Sequence, residues 1–167
     1  MLSARLIQMI ETHAEPLTQQ TLDDMLANEH TRSYGRFSKT ELRPRIHKFF
    51  VHLGSWIGSP DERPVRQEYE ELGRVGACEA IPLSEIVYTL IIIKKHLRHY
   101  IREHGLMTLS GDRFAPAEMV PFELHAIQEL NYLVGDFFDR ALYYLTRGYE
   151  SQVSAKPMAA EARAAKS

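Results

Sequence analysis

Apolar residues recur along this chain at intervals of three and four, the spacing that gathers them on one face of an α-helix, and no strand pattern or internal repeat stands out. Leu2, Leu6, Met9 and Ile10 form one such face and Leu22, Met25 and Leu26 a second, with a break expected at Glu15-Pro16. Residues 28–35 are polar and contain a glycine, so they read as a connecting loop whose Tyr34 tucks under the domain. Ser38 and Glu41 have the spacing of a capping box, in which hydroxyl and carboxylate each satisfy the other's free backbone amide. Pro44 lies beyond the first turn from that cap, which predicts a bend there or a helix that begins there. Ile46, Phe49, Phe50, Leu53, Trp56 and Ile57 then make the most aromatic apolar face in the chain.

After a turn at Gly58-Ser59-Pro60-Asp61, Val65, Tyr69, Leu72 and Gly76 share one side of a further helix. Gly73 and Gly76 each cost such a helix about 1 kcal/mol relative to alanine, which the close approach of a neighbouring helix would offset. A central helix starts at Pro82, where proline gives up only an N–H that has no partner. Ile86, Leu90, Ile93, Leu97, Tyr100 and Ile101 form its main stripe, and Val87, Tyr88, Ile91 and Ile92 spread apolar surface round its first half. That half is therefore expected to be enclosed. Lys95, Arg98, His99 and Arg102 collect on one side of the second half, which emerges into solvent, and the helix is expected to stop at His104-Gly105 with a glycine cap. Residues 106–115 read as a loop.

The last helix is expected to start near Glu118, because an earlier start would push Pro121 past the first turn. Ile127, Leu130, Val134, Phe137, Ala141 and Tyr144 alternate three and four apart in a coiled-coil-like seam, beside a second strip of Leu133, Phe138, Leu142 and Leu145. From 118 to 148 such a helix is about 46 Å long, too long for a domain with a radius of gyration of about 15 Å. Seam and overhang together read as an interface with a second copy of the chain; a kink at Gly135 that folds the helix back into the same core is the competing reading. Residues 151–167 are rich in alanine, lysine and glutamate and read as a disordered, or partly helical, tail. The expected fold is all-α: a single helical-bundle domain of about six to seven helices over residues 1–150, with a long C-terminal helix.

Composition narrows the classes of function. The 167 residues suit one domain, and 20 basic against 22 acidic residues give no global attraction to nucleic acid or to an anionic membrane. Cys78, the one cysteine, has no internal disulfide partner, which fits a reducing cytoplasm, and it reads as an inert buried thiol. The opening residues lack the basic start and long apolar run of a signal peptide. The longest fully apolar run, 90–93, falls far short of the roughly 20 residues that span a bilayer. A cytoplasmic protein without membrane or nucleic-acid partners is expected.

Eight histidines raise the question of a metal or haem. His96 and His99 share a helix but point about 60° apart, and the Glu-x-x-His, His-Glu-x-x-His and paired-cysteine patterns are all missing, so no metal centre is expected. His104 falls on the stripe of Ile86, Ile93 and Leu97 and is the best candidate for a partly buried imidazole. Were a cofactor bound, His96, His99 and His104 would be its candidate ligands. Gly73-Arg74-Val75-Gly76 follows no strand and lacks a third glycine, so it is no dinucleotide loop. Glu85 suits the positive end of a helix, Asp136 and Arg140 an i,i+4 pair, and Lys94, Lys95, Arg98 and Arg102 a solvated basic edge. No nucleophile, base and orienting group converge, so no enzymatic activity is expected.

Tyr34 with Ser38 and Glu41-Leu42, the stretch around Trp56, Tyr69, Leu72-Gly73-Arg74, Ile81-Pro82-Leu83-Ser84-Glu85, Phe137-Phe138-Asp139 and Arg147-Gly148-Tyr149-Glu150 occur in an order that resembles the RsbRD N-terminal domain family. Members of that family are helical input modules related to the RsbR-type stressosome regulators of bacterial stress signalling, and the resemblance covers about residues 2–150. It implies a dimeric, globin-like fold without haem, often joined to a phosphorylatable STAS domain, a kinase or a DNA-binding output. Only the short tail follows the input domain here, so the resemblance assigns no output, and it brings no ligand residues. The expected function is a non-enzymatic signal-transduction module with a protein partner in a signalling pathway, homodimeric through Ile127, Leu130, Val134, Phe137, Phe138, Ala141 and Tyr144. The alternative is a globin-like haem- or cofactor-binding sensor that uses a histidine of the central helix.

Overall fold

The computed structural model describes residues 2–57, 59–109 and 120–164, and every regular element among them is helical. α1 (Leu2–Thr12) and α2 (Ala14–Ala27) part at His13, whose backbone (φ −102°, ψ 22°) leaves the helical region, and not at Glu15-Pro16. A proline in the first turn lacks only an N–H with no intrahelical partner, so Pro16 lies inside α2 without breaking it. The expected loop at 28–35 is largely a 3₁₀ helix, Glu29–Arg36, started by the Asn28 side chain accepting the His30 N–H at 3.0 Å. Tyr34 is buried at its end, as its place in the sequence suggested.

The capping box forms as expected. Ser38 Oγ accepts the Glu41 N–H at 3.3 Å, and the Glu41 carboxylate accepts the Ser38 N–H at 2.8 Å. From this cap α3 (Lys39–Val51) runs on through Pro44. Pro44 and Thr40 are both exposed, so the Thr40 carbonyl that loses its helical donor turns to water instead. A short α4 (Leu53–Trp56) then delivers Trp56 to an aromatic cluster in the core. Trp56 lies parallel to Phe137 at 5.8 Å between ring centroids, Tyr69 meets Phe137 edge-on at 5.7 Å, and Phe49 reaches Phe138 at 5.5 Å.

α5 (Arg63–Cys78) and α7 (Val120–Ala164) run side by side and parallel. Glu62 accepts the Tyr144 hydroxyl at 2.7 Å near one end, and the Ile81 carbonyl accepts the Tyr149 hydroxyl at 3.0 Å near the other. Between these ties the two glycines interlock. A Cβ on Gly73 would lie 2.7 Å from the Tyr149 amide nitrogen, and one on Gly148 would lie 2.7 Å from the Glu70 Cα. The close approach expected at Gly73 is therefore real, and α7 makes it; Gly76 instead admits the Ile86 side chain of α6.

α6 (Leu83–Leu109) buries Ile86, Leu90, Ile93, Leu97 and Ile101, as the stripe predicts. It does not stop at Gly105. That residue is buried against Ile127 of α7, where a Cβ would come within 3.2 Å of Ile127 Cδ1, so the glycine makes room for a neighbour and caps nothing. Nor is the first half enclosed all round, because Ile91 is 51% exposed. Cys78, expected to be buried, is exposed at the end of α5.

The expected start of the last helix at Glu118 lies outside the described residues. From Val120 the helix is uninterrupted through Gly135 to Ala164, which removes the fold-back reading and makes residues 151–164 the helical alternative for the tail. Alanine, glutamate, lysine and arginine extend a helix that is already nucleated, a different matter from starting one. The seam is also reassigned. Leu130, Val134, Phe137 and Ala141 are wholly buried, Phe138 is buried, and Ile127 and Tyr144 are half-buried, all within this one protomer. Their stripe faces α1, α5 and α6 of the same chain. Alternating spacing specifies an apolar stripe that needs a partner, and here the chain supplies that partner itself.

Gly73→Ala and Gly148→Ala should each destabilise the protein by about 2 kcal/mol or more, since backbone blocks the added methyl group. Gly135, in the same helix as Gly148, has open space around it, so Gly135→Ala should stabilise by about 0.5–1 kcal/mol. Urea midpoints at constant m-value measure all three.

Candidate functional site

The histidines of α6 fall on one polar cleft of about 450 Å³, which His96, His99, Tyr100, Glu103 and His104 line together with His13 of the α1–α2 junction. His96 reaches α2, its Nε2 3.0 Å from Asp24 Oδ2, and Lys95 Nζ lies 3.3 Å from the same oxygen. Burial pushes the Asp24 carboxyl up, but hydrogen bonds from His96, Lys95 and Asn28 outweigh it and hold the group below the usual carboxylate range. His99 Nε2 is 2.9 Å from Glu103 Oε1, and its Nδ1 is 2.9 Å from Arg102 Nη2. His104 is exposed, where partial burial was expected; it stacks on Tyr100 at 4.3 Å with Nδ1 3.2 Å from the Tyr100 carbonyl. All three candidate ligands thus engage protein groups. No group of three or more His, Cys, Asp or Glu that could hold a metal ion occurs among the described residues.

The basic edge resolves into different roles. Lys94 Nζ stands 5.5 Å over the Phe138 ring and Lys95 serves Asp24, while Arg98 and Arg102 flank a groove with Leu124, Ile127 and Asn131 of α7. Glu85, expected to act locally at the start of α6, reaches back to the 3₁₀ helix, where its carboxylate accepts the Ser33 N–H at 2.8 Å and the Ser33 hydroxyl at 2.9 Å. Asp136 and Arg140 form the expected i,i+4 pair at 3.0 Å.

A second cleft escaped the sequence reading. Among the described residues α3 and α5 have little close backbone approach, and ion pairs bridge them. Arg45 donates to both carboxylate oxygens of Glu79 at 2.9 and 2.8 Å, and Lys48 reaches both of Glu68 at 2.6 Å. With the cations 41% and 49% exposed, such pairs contribute about 0–1 kcal/mol each. Beneath them Phe49, Tyr69, Leu72, Val75, Leu90 and Ile93 line a space of about 310 Å³. Leu72, Val75, Leu90 and Ile93 also border an inner cavity of about 70 Å³ that extends toward Tyr34. Burial pushes both the Tyr34 and the Tyr69 phenol above the ordinary tyrosine value. The partners in the two bridges stand 34 and 20 residues apart in sequence, and nothing local marks them as pairs.

The outward side of α7 is the third feature. Leu124, Tyr132, Leu142, Tyr143 and Val153 are exposed large apolar residues, with exposed Glu129, Asp136, Asp139 and Glu150 among them. Among the described residues no helix is long and apolar enough to cross a membrane. No family model matches the chain, and no curated protein or solved structure does either.

Asp24→Asn should cost about 1.5–3 kcal/mol at neutral pH, the range for hydrogen bonds to a charged group. A carboxyl held below its ordinary value of 3.8 adds stability that is complete above that value and is lost as pH falls through the lower folded one. The gap between wild type and Asp24→Asn should therefore close as acid unfolding is followed below pH 3.8.

Proposed function

We propose that this chain is a non-enzymatic sensory module of bacterial signal transduction, a cytoplasmic homodimer that acts through contact with a protein partner. The observation that carries the reading is the apolar strip left on the outward side of α7 after the seam has been covered from within. α6 extends that strip. Ile91 lies one turn before Lys94, which reaches over Phe138, and Leu142 lies one turn beyond Phe138 on α7. Ile91 and Leu142 thus stand on one side of the molecule.

A second copy is the partner that this surface suits. Arg98 and Arg102 are exposed cations on α6, and Glu129, Asp136 and Asp139 are exposed carboxylates on α7. A two-fold pairing that sets each copy's α6 against the other's α7 matches opposite signs twice over, while the apolar strip fills the middle. The resemblance to RsbRD N-terminal input modules supports the same reading, since dimers are the rule implied there. A signal would shift the equilibrium between two packings of α6 and α7 only through unequal affinity for them.

Light scattering on a dilution series should give a dimer mass for the wild type. Leu142→Asp and Tyr143→Asp, both at exposed positions, should raise the dimer dissociation constant at least tenfold with little change in melting temperature. A wild-type mass that stays monomeric at every concentration would rule the pairing out.

A further inference from the structure

We propose that the cleft between α3 and α5 binds a small, uncharged apolar molecule beneath the Arg45–Glu79 and Lys48–Glu68 bridges. Here about 310 Å³ lies open between two helices, with a further 70 Å³ behind it. The larger volume falls in the range of small-molecule sites, and its walls combine aromatic and branched aliphatic side chains with a charged rim of Arg45, Lys48, Glu68 and Glu71. Phe49 and Tyr69 supply flat ring surface, and Leu72, Val75, Leu90 and Ile93 supply the aliphatic floor.

Charge decides the chemistry of the occupant. At the mouth Arg45 is matched by Glu79 and Lys48 by Glu68, and Arg74 by Glu71 one turn along α5. An ionic head group would find no unpaired counter-ion and would have to displace a glutamate or a cation. A neutral molecule meets no such opposition and lies under the bridges once they close. The bridging side chains are exposed enough to swing aside and admit it.

The site names the input for the regulatory reading and rests on that reading for its purpose. Leu72 flanks Gly73 in sequence, and Gly73 is where α5 meets the backbone of α7. An occupant that presses on Leu72 and Val75 therefore bears directly on the α5–α7 crossing, and through α7 on its outward face.

The test is a titration of the full chain with the neutral fluorophore N-phenyl-1-naphthylamine, read from the probe and from Trp56, the single tryptophan, which lines the same cleft. Saturable one-to-one binding with a change in Trp56 emission is expected. Leu72→Phe and Val75→Phe, at half-buried positions that fill the cleft, should each weaken it at least tenfold while far-UV circular dichroism stays unchanged; the variant that keeps its fold is the one read. The anionic analogue 1-anilinonaphthalene-8-sulfonate should bind at least tenfold more weakly. Absence of saturable binding, binding unaffected by a folded filling variant, or equal affinity for the sulfonate would overturn the proposal. Light scattering on the same samples separates the two ideas: binding by a protein that never dimerises removes the homodimer and leaves the site, and a dimer that never binds does the reverse.

Discussion

The close crossing of α5 and α7 at Gly73 and Gly148 is the constraint on which the rest of the molecule depends. With no side chains between them, the helices meet on backbone, and the ties at Glu62–Tyr144 and Ile81–Tyr149 hold the register on either side. One turn before Gly73, Tyr69 is thereby brought edge-on to both Phe137 and Trp56, whose own rings lie parallel. The aromatic centre is thus a consequence of the glycine contact as much as of the apolar stripes. So is the space beside it. A helix held this tightly to α7 stays away from α3, and long charged side chains bridge what remains.

Much of the architecture was legible because it is local. The capping box at Ser38 and Glu41, the burial of Tyr34, the stripe of α6 and the closeness at Gly73 all follow from residues within a few positions of one another. The errors have a common physical origin, in that they concern what lies across from a residue. Gly105 looks like a helix terminus until Ile127 is placed against it. Cys78 looks buried by type, yet its place at the end of α5 leaves it in solvent. The seam from Ile127 to Tyr144 shows that α7 needs a partner, but spacing alone cannot say whether that partner is another chain or α5 and α6 of the same one. Composition alone leaves the tail between disorder and helix, because it takes no account of the helix that already precedes it.

The candidate sites were harder still to read, because each is assembled from remote segments. Asp24 and His96 are 72 residues apart, and the bridges over the cleft join helices that hardly touch. The histidines singled out by number do come together on one cleft, but as hydrogen-bonding groups engaged with Asp24, Glu103 and Tyr100. The basic edge likewise divides into a cation over an aromatic ring, a cation on a carboxylate and two exposed arginines. Residue type set the inventory, and tertiary contact decided the use of each member.

α7 has 45 residues, and the last tie described between it and the body of the protein is the Tyr149 hydroxyl on Ile81. The 15 residues that follow make a rod of about 22 Å at helical rise. Pivoted at the Gly148 crossing, such a rod is a lever arm: a tilt of about five degrees carries its far end through about 2 Å. Rearrangements too small to disturb the core are therefore magnified at its tip, and whatever touches that tip feels a displacement rather than a change of shape.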